Sequence, residues 1–315
     1  MEQVSQLERD TGFGKLKKSK PKTEAAQIKA INKQSVKQKL NAYMKKPGSF
    51  VLLILVLLAA IITVGVLGTL VGYILVNGIP YLKASLFSWK YTSDNVSMMP
   101  AIINTLIMTL ISLAISVPFG MGAAIYLVEY AKKGNKLVGI VRVTAETLSG
   151  IPSIIYGLFG MLFFVTTLGW GYSILAGAFT LAIMVLPVVM RTTEEALLSV
   201  PDSYREGSFG LGAGRLRTVF CIILPAAVPG ILSGVILAVG RIVGETAALI
   251  YTAGTVPDVT NSLFASGRTL SVHMYSLSRE GLHTNEAYAT AVVLLLIVMG
   301  INWFSGFLAK RISRG

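Results

Sequence analysis

Five intervals of the chain carry no ionisable side chain for long enough to cross a bilayer: 47–82, 95–128, 147–190, 218–240 and 287–309. Hydrocarbon about 30 Å thick takes about 20 residues of helix, which rises 1.5 Å per residue and satisfies its own backbone polar groups. Every interval reaches that length, and the third is about twice as long. A tight turn at Gly169-Trp170-Gly171 divides the third, with Trp170 as an interfacial anchor, so the sequence predicts six spans: 50–76, 101–128, 148–168, 172–191, 224–251 and 287–309. The period-two alternation of a membrane β-barrel is absent. The expected fold class is therefore all-α, a polytopic membrane protein with a basic tail at 1–46 and a six-helix transmembrane domain at 47–315. Pro118 is expected to kink the second span.

Composition agrees, since charged residues make up only 14% of the chain, against about 25% in soluble domains. The formal charge of +13 suggests nucleic acid until its location is considered. Of the 28 Lys and Arg residues, twelve lie in 1–46, four in 129–147, four in 191–217 and three from Lys310 onward. Only Lys83, Lys90, Arg268 and Arg279 fall in the alternate loops, and Arg241 lies inside a span. That bias of 23 to 4 is a topology signal: it places both termini and the segment around 205 in the cytoplasm, with a lipid membrane and no nucleic acid as partner. No cleavable leader is expected, because a polar tail precedes a first apolar run longer than a signal sequence uses. The tail itself offers one amphipathic helix, with Ile28, Ile31, Val36, Leu40 and Tyr43 among lysines, suited to an anionic leaflet.

Nothing in the chain reads as a nucleotide or metal site. "GFGKLKKSK" lacks phosphate-loop spacing, since Leu16 follows Lys15 and Arg9 stands where the first glycine is needed. His273 and His283, in a polar outer loop at 252–286, lack Cys or carboxylate neighbours at ligand spacing. Cys221 is a lone packing residue. The chain is therefore expected to carry no enzymatic activity and no cofactor of its own.

The segment 194–220 stops being lipid-like. Ser199, Pro201 and Asp202 read as a helix start, a short helix follows through Glu206 to Phe209, and Gly210, Gly212 and Gly214 break it. Arg215 and Arg217 then hold the interface, and Ile222 to Pro225 re-enters the membrane. The result is a short cytoplasmic helix with Phe209 and Leu211 available to a partner. Within the fifth span, Arg241 and Glu245 are four apart and so share a helix face, where burial in lipid would cost about 2.5–3.5 kcal/mol each. A guanidinium offers a planar fork matching phosphate or sulfate oxygens, which favours an anion as cargo. A structural Arg241–Glu245 ion pair is the bland alternative, and a combined role has Glu245 neutralising Arg241 until an oxyanion competes. Gly230-x-x-x-Gly234 and Gly240-x-x-x-Gly244 give the same helix small faces for packing. Arg191 closes the fourth span, where snorkelling explains it nearly as well as lining an exit vestibule.

Here the chain resembles a family. Inner-membrane subunits of ABC importers carry E-A-A-x-x-x-G and, after nine intervening residues, I-x-L-P, and Glu206, Gly212, Ile222, Leu224 and Pro225 stand in that register. The two alanines are Gly207 and Ser208, both small, with Gly207 lowering intrinsic helix stability by about 1 kcal/mol. The resemblance implies a type I ABC importer permease fold in which Glu206, Gly207, Ser208, Phe209, Gly212, Ile222, Leu224 and Pro225 couple the spans to a separate ATPase that binds ATP and Mg. "SGIPSIIYGLFG" and "GRIVGETAAL" further resemble the phosphate importer permeases, of PstA rather than PstC type, over residues 50–310. That implies Arg191, Arg241, Glu245 and Thr246 on the substrate path. It also implies a PstC-like second permease, two PstB-like ATPases and a PstS-like extracytoplasmic phosphate-binding protein. Permeases for sulfate, molybdate or a phosphonate are the near alternative. An ATP-independent channel or secondary anion transporter, or a non-conducting scaffold, is the distant one.

Overall fold

The computed structural model describes residues 47–132 and 134–312, so the basic tail and its amphipathic helix lie outside the described residues. The chain divides into two compact units, up to Thr69 and from Leu70. Helix α1 (Pro47–Gly78) begins in the first. Nearly every side chain from Gly48 to Thr69 is exposed, as expected where lipid is the solvent. The Thr63 and Thr69 hydroxyls donate back to Ala59 O and Gly65 O at 2.8 Å, which removes a polar cost in hydrocarbon.

The second unit is built around α5 (Ile174–Leu198), the most enclosed of the five helices long and apolar enough to span. The others are α1, α2 (Met99–Ile125, closed by a π turn at Tyr126–Tyr130), α8 (Leu224–Gly244) and α11 (Thr284–Ile312). Small residues set the packing. A side chain at Gly120 of α2 would strike Val189 of α5, one at Gly230 of α8 would strike Ala196, and one at Gly234 would overlap Thr192. Of the two glycine pairs on α8, then, Gly230 and Gly234 seat the helix on α5. Gly240 and Gly244 have nothing within 4 Å among the described residues. From the end of α1, Gly78 lies against Tyr288 and Val292 of α11, and Tyr73 meets Tyr288 edge to face at 5.8 Å. α2 runs through Pro118 without interruption.

The third span departs from expectation. The charged stretch before it is a 14-residue helix, α3 (Lys136–Ser149), capped by the Asn135 side chain accepting from Leu137 N–H at 3.0 Å. It bends by 100° into α4 (Ser153–Gly160, continued by a π segment Met161–Thr167), so one broken unit replaces the single straight helix. Ser149-Gly150-Ile151-Pro152 makes the corner, where Pro152 has no N–H to continue α3 and its extended ψ of 139° turns the chain into α4. Gly169 and Gly171 form the turn to α5 with φ of +68° and +65°. Trp170 stacks on Phe164 at 5.3 Å and meets Phe179 and Phe264 edge-on, so it is a packing residue of an aromatic cluster.

The polar segment 252–286 is also more than a loop. It holds α10 (Leu270–Glu280), whose Leu270, Val272, His273 and Leu277 are buried. The segment is tied to α2 by Asn104 Nδ2 donating to Asp258 O at 3.0 Å and by Leu270 N–H donating to Thr105 Oγ1 at 2.9 Å.

Candidate coupling surface and anion path

The candidate coupling segment forms the helix α6 (Asp202–Gly210), followed by α7 (Arg215–Thr218), which runs through a π turn at Val219–Ile223 into α8. Ser199 ends α5 instead of starting α6: its hydroxyl donates to Ala196 O at 2.7 Å, and Pro201 takes the entry position. Asp202 places a carboxylate in the first turn, where the helix dipole is positive. At the other end Ala213 N–H donates to Ser208 O at 3.1 Å and Gly212 N–H to Phe209 O at 2.9 Å, a Schellman closure. Gly212 therefore sits at φ +80°, which explains a glycine at this step of the motif.

Ser208, at the second alanine position, is buried, and its hydroxyl shares a hydrogen bond with Thr218 Oγ1 at 2.8 Å, tying α6 to α7. Gly207 faces open space. Glu206 and Phe209 are exposed beside a 570 Å³ recess whose wall includes Glu129, Tyr130, Asp202 and Arg215, and Leu211 is 91% exposed. Ile222 and Leu224 are half-buried against the α2–α5–α8 core, with Ile223 fully inside and Pro225 exposed.

What fixes α6 to the bundle is a residue the sequence did not flag. Arg205 donates to Glu129 Oε1 from Nη2 at 2.7 Å and from Nε at 3.1 Å, while Nη1 and Nη2 reach Val200 O at 2.9 Å and Leu197 O at 3.0 Å. Side-chain exposures are 15% for Arg205 and 7% for Glu129. This single guanidinium joins α6, the end of α5 and the end of α2. Glu129 lies 76 positions away, so no local pattern could reveal it; its one signal was being the first charge after an uncharged interval.

The candidate path residues are arranged differently from their sequence spacing. α8 ends at Gly244, so Arg241 is in its last turn and Glu245 is already extended at φ −72°, ψ 129°. The two do not pair. Glu245 is 8% exposed, and its Oε1 accepts from Ala248 N–H at 3.1 Å, capping the short helix α9 (Ala247–Ile250). Its carbonyl also accepts from the Ser271 hydroxyl of α10 at 2.5 Å. The shared-face ion pair and the neutralising role are thereby corrected: helix periodicity does not carry past Gly244. Thr246 follows in the break, half-buried. Arg241 is half-buried, makes no ion pair or side-chain hydrogen bond among the described residues, and lies within Coulombic range of Tyr156 on α4. Gly157, the next residue, and Gly160, one turn on, let α4 approach Ala248 and Thr180 closely.

Arg191 sits elsewhere, one residue from the Thr192–Gly234 contact and so about 10 Å along α8 from Arg241 at 1.5 Å per residue. It is exposed, bonded through Nε to Glu195 Oε1 at 3.1 Å, and 3.7 Å from Glu146 of α3. With Arg142, which pairs with Glu194 at 2.5 Å, it walls a 280 Å³ cavity between α3 and α5.

Comparison with known proteins now decides the class. The family described as "Binding-protein-dependent transport system inner membrane component" matches residues 116–314. The chain belongs to this family. It is 34% identical over 278 residues to a Bacillus subtilis protein named probable ABC transporter permease protein YqgI, covering 81% of this chain and 94% of that one. It is 32% identical over 276 residues to the phosphate transport system permease protein PstA of Haemophilus influenzae, covering 85% and 96%. Among solved structures, a bacterial ABC transporter for alginate import has a chain with a TM-score of 0.61 at 18% identity, covering 85% of this chain and 98% of that one. The MetNI methionine ABC transporter gives 0.55 at 20%, covering 68% and 94%. The fold is thus that of the type I ABC importer permeases, and this family member is a multi-pass membrane protein.

Proposed function

We propose that this family member is the permease subunit of an ATP-driven phosphate importer, with α6 as the lever gripped by a cytoplasmic ATPase. The observation that carries the coupling half is the anchoring of α6: a Schellman closure at one end and a part-buried Arg205–Glu129 pair at the other make it move with α2 and α5 as a body. Exposed Phe209, Leu211 and Glu206 on this fixed helix suit docking into a groove of a partner. Relatives named as phosphate transport permeases support the cargo, and so does Arg241, a guanidinium with no carboxylate paired to it among the described residues, at the broken end of α8. In the assembly, a PstC-like permease supplies the other half of the path, two PstB-like subunits bind ATP and Mg, and a PstS-like protein delivers phosphate from outside. Both termini and α6 face the cytoplasm, as the charge bias requires. Inward movement of an anion against a negative interior costs about 2.3 kcal/mol per charge per 100 mV, which motivates ATP coupling.

The test is uptake of radiolabelled phosphate and sulfate by proteoliposomes holding the four-component complex. Uptake of phosphate in preference to sulfate, dependent on both ATP and the binding protein, is expected. Preference for sulfate refutes the cargo, and flux through this chain alone refutes the coupling.

A further inference from the structure

One further arginine is buried outright, and the fold treats it unlike the part-buried Arg205. Arg268 is 4% exposed, yet its Nε and Nη2 have no hydrogen-bond partner, and among the described residues no carboxylate pairs with it. Its backbone is held firmly, N–H donating to Val256 O at 2.9 Å and carbonyl accepting from Asn104 Nδ2 at 3.3 Å. The guanidinium lies over the Tyr91 ring, 4.6 Å from its centroid, which keeps it in place without neutralising it. Arg268 lines a 350 Å³ cavity at the end of the bundle opposite α6, together with Thr255 and with Tyr275, Ser276, Arg279 and Glu280 of α10. The four α10 residues fall at i, i+1, i+4 and i+5, so one helix face presents two hydroxyls and a second guanidinium to the cavity. Glu280 is on the same wall and forms no ion pair with either arginine among the described residues. A desolvated cation without a counter-charge is unfavourable unless an anion completes it, and a guanidinium fork matches phosphoryl oxygens.

We propose that Arg268 and Arg279, with Thr255, Tyr275 and Ser276, form a second oxyanion site, separate from Arg241, that takes a tetrahedral phosphoryl group. The phosphate-import reading enters only through the identity of the ion. That chemistry has two sources, free inorganic phosphate and the headgroup of an anionic lipid, and the experiment separates them.

The assembled importer is placed in nanodiscs, with Arg241→Gln present throughout to silence the path, and its unfolding temperature is followed. In zwitterionic lipid, inorganic phosphate at a hundredfold excess over its Kd raises that temperature by about 5 °C if the free ion is the ligand. In phosphatidylglycerol the rise appears without added phosphate if the headgroup is the ligand. In either case Arg279→Gln and Arg268→Met abolish the rise, and Arg268→Met leaves the ligand-free temperature equal or higher, because a lone buried charge has been replaced by an apolar chain. A rise that survives both substitutions, no rise in either lipid, or an Arg268→Met protein that is less stable yet keeps the full rise overturns the proposal. Labelled uptake by the importer without these substitutions, measured separately, reports on phosphate import, so failure there leaves the site's own result intact.

Discussion

Replacing Glu129 with Gln should loosen α6 without unfolding the bundle. At 2.7 Å and an effective dielectric of 20 the Arg205–Glu129 attraction is about 6 kcal/mol, most of it offset by the desolvation of both groups. Deleting one partner of such a pair costs about 3–5 kcal/mol. Gln keeps a neutral hydrogen bond, and Arg205 keeps Val200 O and Leu197 O, so a net loss of about 2 kcal/mol is expected. That corresponds to about a 30-fold rise in the undocked population of α6. Hydrogen exchange on the assembled complex reads this directly: amides of Tyr204 to Leu211 should lose about 30-fold in protection while those of α5 above Met190 do not change. Phosphate imported per ATP hydrolysed should fall in parallel. Unchanged exchange in α6, or the same effect of Glu129→Gln when Arg205 is already Met, would refute the pinning.

The glycines of the coupling segment should respond in opposite senses. Gly207→Ala adds a methyl in open space and should raise α6 stability by about 1 kcal/mol, whereas Gly212→Ala forces a side chain into the left-handed region and should lower it by about 1–2 kcal/mol, both read by exchange on the complex. On α8, Gly234→Ala overlaps Thr192 and should destabilise the α5–α8 contact by about 1–3 kcal/mol, seen as a lower unfolding temperature. Companion Gly240→Ala, with nothing near it among the described residues, should leave the isolated subunit unchanged. His273 predicts a pH effect: burial first, and the Arg268 charge second, push its imidazole down to about 3, opposed by the Val96 backbone. Between 6.5 and about 3 the unfolded chain binds the proton and the folded one does not, so stability is full above pH 6.5 and falls by up to about 1.4 kcal/mol per unit as pH drops. A His273→Phe variant should lack that slope.

Much of this was legible from sequence because lipid imposes a simple demand. Uncharged length located α1, α2, α5 and α11, and glycine spacing located both the α4–α5 turn and the close of α6. What was hidden has a common physical origin. α3 was missed because Lys136, Arg142 and Glu146 interrupt the apolar run of an amphipathic helix, and only the 100° bend shows how that run is divided. The Arg241–Glu245 pairing followed from periodicity across Gly244, but a glycine before an acidic residue that can cap the next turn permits a break, and α9 exploits it. Arg205 and Arg268 fall in opposite sets of loops, but nothing in the sequence shows how each is paired. Their difference, one saturated by Glu129 and two carbonyls and the other orphaned over Tyr91, depends on contacts made across 76 positions in the first case and across the α2 entry segment in the second.

Paired assays of labelled phosphate uptake and ATP hydrolysis on Arg241→Gln and Phe209→Asp importers decide whether α6 drives a path that runs past Arg241. Arg241→Gln should cut uptake at least tenfold, from loss of a charge-assisted contact of about 1.5–3 kcal/mol, while hydrolysis continues; Phe209→Asp should abolish both by undocking the ATPase. Phosphate entering at the unmodified rate through Arg241→Gln, or coupled uptake persisting with Phe209→Asp, would contradict it.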